Sequence, residues 1–171
     1  MRSPRVFFLL VLLIAVAAIA WYFASRAAPA DRITVYYTKP DGASEIPWTI
    51  SVRPQQNGES GAQRRQYLVL YAASQAVAGP SAQVAALRFP AGTQVLAAGV
   101  DGTTATVDLS ADVGAGQRGA TIEGGEFKSL VWTLTALPGI DSVQVTVAGR
   151  KIASLPGGSF ELDEPLRRSD W

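Results

Sequence analysis

One uncharged apolar run, Val6 to Ala24, constrains this chain more than any other feature. About 20 apolar residues suffice for a helix to cross the hydrocarbon core of a bilayer, and this run has that length. A stretch so apolar on every face would need protein all around it to serve as a core helix. Arg2 and Arg5 precede the run and no acidic residue does. The positive-inside bias therefore holds residues 1–5 in the cytoplasm and sends the rest outward. Trp21, Tyr22 and Phe23 fall where the outer headgroup layer would lie, a natural aromatic belt. A cleaved secretory signal is the rival reading: Ala28-Pro29-Ala30 is an acceptable cleavage pattern. The run exceeds the roughly 7–15 apolar residues usual in signal peptides, which favours an anchor. No cysteine follows it, which argues against lipid modification at this position.

The expected layout is a cytoplasmic end at 1–5, a transmembrane anchor at 6–24, a tether at 25–32 and one extracytoplasmic domain at 33–171. That domain has the length of an ordinary single unit with a core of its own. With no cysteine it must stand on packing alone. The chain has 15 Lys+Arg and 14 Asp+Glu. Four of those arginines and one aspartate lie in the first 32 residues, so the domain beyond is mildly acidic, which argues against a nucleic-acid partner. The absence of histidine and cysteine excludes Ser-His-Asp triads, thiol chemistry and zinc or copper sites built on those ligands. No catalytic residue, cofactor site or metal site is expected.

Residues 33–38 alternate, with Ile33, Val35 and Tyr37 on one face, and read as a strand. Lys39-Pro40-Asp41-Gly42 is turn chemistry. Trp48, Ile50 and Val52 then mark the buried face of a second strand. Arg64 to Ala78 reads as a helix stopped by Gly79-Pro80. Thr93 to Val100, mostly apolar, reads as a central strand, followed by the hairpin signal Asp101-Gly102 and a strand through Ala105, Val107 and Leu109. Phe127, Leu130, Val131, Leu134 and Leu137 form the apolar stripe of a second helix, about Gly125 to Leu137. Glu123 and Glu126 lie at its N-terminal end, which suits the helix dipole. Val143, Val145 and Val147 give a fifth strand, with a short return strand at Lys151 and Ile152. The expected order is β-β-α-β-β-α-β: an α/β (α+β) two-layer sandwich, a mixed β-sheet with both helices on one face, plus the N-terminal transmembrane helix.

The segments ITVYYTKPDG at 33–42, IPWTISVRP at 46–54, AGPS at 78–81, FPAGTQVL at 89–96, ATVDLS at 105–110 and LVWTLTALPGIDSVQVTVAG at 130–149 occur in an order that resembles the GerMN domain, the sporulation and spore-germination domain. Pro165-Leu166-Arg167-Arg168 resembles the family's closing Pro-Leu-x-Arg. The family's usual Asp before the late turn glycine is Ala148 here. The resemblance implies a non-catalytic domain on the outer side of a bacterial membrane, of the kind that builds envelope assemblies. The implied partners are envelope proteins or further copies of the chain.

Several motifs have competing readings. Gly114-x-Gly116-x-x-Gly119 spells a dinucleotide fingerprint, but Ser110-Ala111-Asp112 separates it from the preceding strand and Glu123-Gly124-Gly125 interrupts a following helix. A connecting loop is expected. Asp108, Asp112, Glu123 and Glu126 could gather oxygens for calcium, though in no recognised loop spacing. Asp108, at a strand end, is expected to be structural. Arg53, Arg167 and Arg168 could meet an anionic glycan or a partner, and Trp132, beside the buried stripe, could be edge-exposed for contact. Lys128 has no serine three residues before it, so the S-x-x-K acylation pair is absent. The sequence thus favours an envelope scaffold. A peptidoglycan- or glycan-binding module is the alternative, and a carboxylate-based hydrolase the more distant one.

Overall fold

The computed structural model describes Leu13, Val16 and residues 31–116, 119–156, 158 and 160–171. Apart from Leu13 and Val16, both helical and exposed, the apolar run at 6–24 lies outside the described residues. Among the described residues no helix is long and apolar enough to cross a membrane.

Two strands come first, β1 (Arg32–Thr38) and β2 (Glu45–Ser51), then helix α1 (Gly61–Ala78). Strands β3 (Val95–Asp101) and β4 (Thr104–Leu109) follow, then a 3-10 turn at Ala111–Gly114. Helix α2 (Ala120–Leu134), strand β5 (Ser142–Val147) and a 3-10 turn at Arg168–Asp170 complete the chain. The local chemistry is direct. Asp41 Oδ1 accepts the amides of Ala43 and Ser44, both at 2.9 Å, and closes the β1–β2 turn. Ser60 and Gln63 form a reciprocal capping box at the start of α1. Gly102, at φ +58°, makes the tight β3–β4 turn, a conformation only glycine adopts without strain.

The single mixed sheet expected from the pattern is instead two sheets sharing one core. β1 pairs antiparallel with β2 alone, while β3, β4 and β5 form a three-stranded sheet in that order. β4 pairs antiparallel with β3 and parallel with β5. The division has a physical cause. The outward amides of β1 are taken by α2 rather than by a strand: Tyr36 N–H donates to Thr133 Oγ1 and Thr38 N–H to Ser129 Oγ, each at 2.9 Å. β4, not the more apolar β3, is central in its sheet, and Leu96 on β3 is left exposed.

Helix α2 departs furthest from its one-sided pattern. It packs on β1, α1, β5 and the C-terminal 3-10 turn, and from Glu123 to Leu134 only Trp132 is not buried. It also begins earlier than expected, at Ala120, and runs through Gly124-Gly125. Those glycines are packing residues. A Cβ at Gly125 would come within 2.3 Å of Leu87 Cδ1 and 3.3 Å of Thr38 Cγ2, and one at Gly124 would touch Phe160 and Trp171. Glu123 and Glu126, expected at the N-terminal end of the helix, lie within its first two turns and are buried.

The return strand expected at Lys151 and Ile152 is only a single bridge, Val147 to Arg150. The turn before it places Ala148 at φ +48°, the one non-glycine with positive φ among the described residues. On the far side of β5, Leu166 exchanges both backbone hydrogen bonds with Val143, at 2.8 and 2.9 Å, covering that edge.

Candidate functional site

Trp132 and Arg168 are brought together. Lys128 and Trp132 lie four residues apart on α2 and so share a helix face. The Lys128 ammonium lies 5.3 Å from the Trp132 ring centroid, and the Arg168 guanidinium lies over the same ring at 4.9 Å. Tyr36, projecting from β1, meets Trp132 edge-on at 5.9 Å between centroids, with Arg168 5.4 Å from its ring. Cations beside an indole are attracted by its negative face.

The cations of this cluster are nevertheless bound elsewhere at the same time. Arg168 donates from Nε to Thr135 Oγ1 and from Nη2 to the Trp132 carbonyl, each at 2.8 Å. It thereby serves one of the last carbonyls of α2, where a positive charge also suits the dipole. Lys128, buried, pairs with Glu45 and donates to the Ala43 carbonyl at 2.7 Å. Trp132 itself is half-buried, and its indole N–H finds no acceptor among the described residues.

The other residues singled out by the sequence lie apart from this cluster. Arg53, just past β2, donates to both carboxylate oxygens of Glu59, at 2.6 and 3.1 Å, and lies 3.9 Å above the Tyr67 ring. That grip, with the Gln56 amide, holds the Glu59 carboxyl down to about 2 from the usual 4.5. Arg167 is exposed, and its backbone N–H donates to Asp170 at 2.7 Å. Asp108, at the end of β4, accepts from Thr146 Oγ1 at 2.7 Å and from the Gly149 amide at 2.8 Å, both on Oδ1.

The four candidate calcium ligands do not converge. Asp112 accepts from Ser110 Oγ at 3.0 Å while Glu123 and Glu126 are buried within α2. Among the described residues no group of three or more carboxylates is placed to hold a metal ion. The glycine fingerprint needs a correction: α2 opens directly after Gly119, rather than being interrupted. Glu123, in its first turn, is buried.

Trp48 is a further correction. It lies opposite the buried Val35 in the β1–β2 register and so shares the core-facing side, yet half of its surface (50%) is exposed. It lines a cavity with Gln75 of α1 and residues of the following loop. Sequence reasoning missed this cavity and the roles of Tyr36 and Lys128. The four-residue spacing of Lys128 and Trp132 was a readable signal for the latter.

The family model described as Germane: Sporulation and spore germination matches residues 34–153. No curated protein matches the chain. Among solved structures, a Clostridium perfringens protein provisionally named a lipoprotein is 22% identical, with a TM-score of 0.57 over 82% of this chain and 89% of that one. The first GerMN domain of the sporulation protein GerM from Bacillus subtilis is 20% identical, with a TM-score of 0.57 over 82% of this chain and 99% of that one. The tandem GerMN domains of the same protein give 21% identity and a TM-score of 0.56 over 83% of this chain, which spans 49% of the tandem. At these identities the likeness is one of fold.

Proposed function

The chain belongs to the Germane family of sporulation and spore germination domains, and on that premise we propose that it is a non-catalytic scaffold or interaction domain of the bacterial cell envelope. It is tethered by the apolar run at 6–24 with its domain outside the cytoplasm. One observation carries the non-catalytic reading: four of the charged side chains described above are spent on the fold. Arg53 is closed on Glu59, Arg168 on the end of α2, Lys128 on Glu45, and Asp108 on the β5 turn. A catalytic acid or base must instead be within reach of a substrate proton.

The location rests on the basic N-terminal flank and the length of the run. The provisional lipoprotein name of one structural neighbour supports a domain held at a membrane. The sporulation name of the other supports assembly of an envelope or sporulation-type complex, with envelope proteins or further copies as partners. An alkaline phosphatase fused after Trp171 is expected to be active, and a cytoplasmic reporter at the same junction inactive. The reverse pattern would overturn the topology. Crosslinking of the anchored protein in its own membrane is expected to capture protein partners. A turnover dependent on any described carboxylate would overturn the scaffold reading.

A further inference from the structure

We infer that the cavity between β2 and the C-terminal end of α1 is a subsite for one neutral hexopyranose ring of an oligosaccharide, with Trp48 as its stacking platform. This goes beyond the scaffold reading and does not depend on it. The cavity, about 210 Å³, is lined by Tyr37, Trp48, Ile50, Gln75, Ser81 and Val84, with Gly79 and Pro80 at its edge. Three features select the occupant.

First, none of the lining side chains carries a formal charge, and the one guanidinium beside the cavity, Arg88, is taken up by the carbonyls of Pro80, Ser81 and Val84. Second, the lining is amphipathic in the way a sugar is. A half-exposed indole beside Ile50 and Val84 suits the C–H face of a pyranose, while the amide of Gln75 and the hydroxyl of Ser81 suit its hydroxyl groups. Binding pockets commonly combine such apolar walls with a few polar groups that fix orientation. Among the described residues neither the Gln75 nor the Ser81 side chain is engaged by another protein group. Third, edge chemistry disfavours an added polypeptide strand, and the cavity, about 210 Å³, has room for one ring. An added strand along β2 would meet Pro47. Its partner Tyr36 donates its own N–H away from β2, to Thr133, so the Tyr36–Pro47 pair is not hydrogen-bonded. Pro47 therefore sits where the free edge should offer a donor, and it has none.

The test uses the full-length chain in detergent micelles with chitotetraose and maltotetraose as probes, and binding read by saturation-transfer NMR and titration. Saturable binding of either sugar is expected, weakened about tenfold or more by Trp48→Ala. Trp48→Leu keeps apolar bulk but loses the flat aromatic face, and the same weakening is expected of it, which keeps the test open if Trp48→Ala unfolds. Three results would each overturn the proposal: neither sugar binds, a proline-rich peptide binds in their place, or Trp48→Leu binds sugar as tightly as the parent.

Discussion

Ser129 Oγ accepts the Thr38 amide proton at 2.9 Å, so a helix hydroxyl stands where a neighbouring strand would otherwise bond. Thr133, four residues on, does the same for Tyr36, two residues back along β1. The two spacings match: four helical residues rise about 6 Å and two strand residues span about 6.6 Å. The match closes an edge of β1 that would otherwise be open to another strand.

Ser129→Ala should therefore destabilise the domain by about 1–3 kcal/mol, because it leaves the buried Thr38 N–H without its acceptor. Equilibrium urea denaturation measures this. An unchanged midpoint would show that water replaces the hydroxyl.

Leu134 is fully buried near the end of α2, in the core shared by both sheets. Leu134→Ala should cost about 2–5 kcal/mol, the range for truncating a buried leucine. The same denaturation series checks it.

Glu59 titrates at about 2 in the folded chain against an ordinary 4.5, first because Arg53 bonds its carboxylate and then because the Gln56 amide does. A depressed carboxylate contributes stability that is present above the ordinary value and lost as pH falls through the folded one. Tm of the parent should thus fall between pH 4.5 and about 2. Glu59→Gln should flatten that acid limb and lower Tm at pH 7, measured by thermal melts across pH.

Asp108 receives both of its hydrogen bonds on one oxygen, which an asparagine carbonyl can imitate. Asp108→Ala should lose about 1.5–3 kcal/mol, and Asp108→Asn distinctly less. Equal losses in the two variants would show that the charge, not the acceptor geometry, holds the β5 turn.

Arg168 ties the C-terminal segment to the last turn of α2 and covers the Trp132 ring. Arg168→Ala should cost about 1–2 kcal/mol. It should also shift Trp132 fluorescence, read against a Trp132→Phe variant. Lysine at 168 should not restore it, since one ammonium cannot reproduce the planar fork.

Much was legible in the sequence because it is local. Strand alternation at 33–38 and 142–147, the Asp41-Gly42 and Asp101-Gly102 turns and the Gly79-Pro80 stop each act within a few residues. What misled were the long-range terms. Gly124-Gly125 reads as a helix break by propensity, but here close packing against Leu87, Thr38 and Phe160 outweighs that cost. Trp48 lies on the face its alternation gives, yet half of its surface is exposed.

The sequence by itself determined the kinds of element, the turns, the family and the lack of histidine and cysteine chemistry, since all of these follow from residue identity and near-neighbour spacing. Tertiary structure alone decided that there are two sheets rather than one, and that α2 is buried on nearly every side. It also decided that Arg53 and Arg168 are bound inward and that Trp48 opens onto a cavity. A strand's period of two says which face a side chain occupies. It does not say whether a helix hydroxyl 91 residues away will take the place of the next strand.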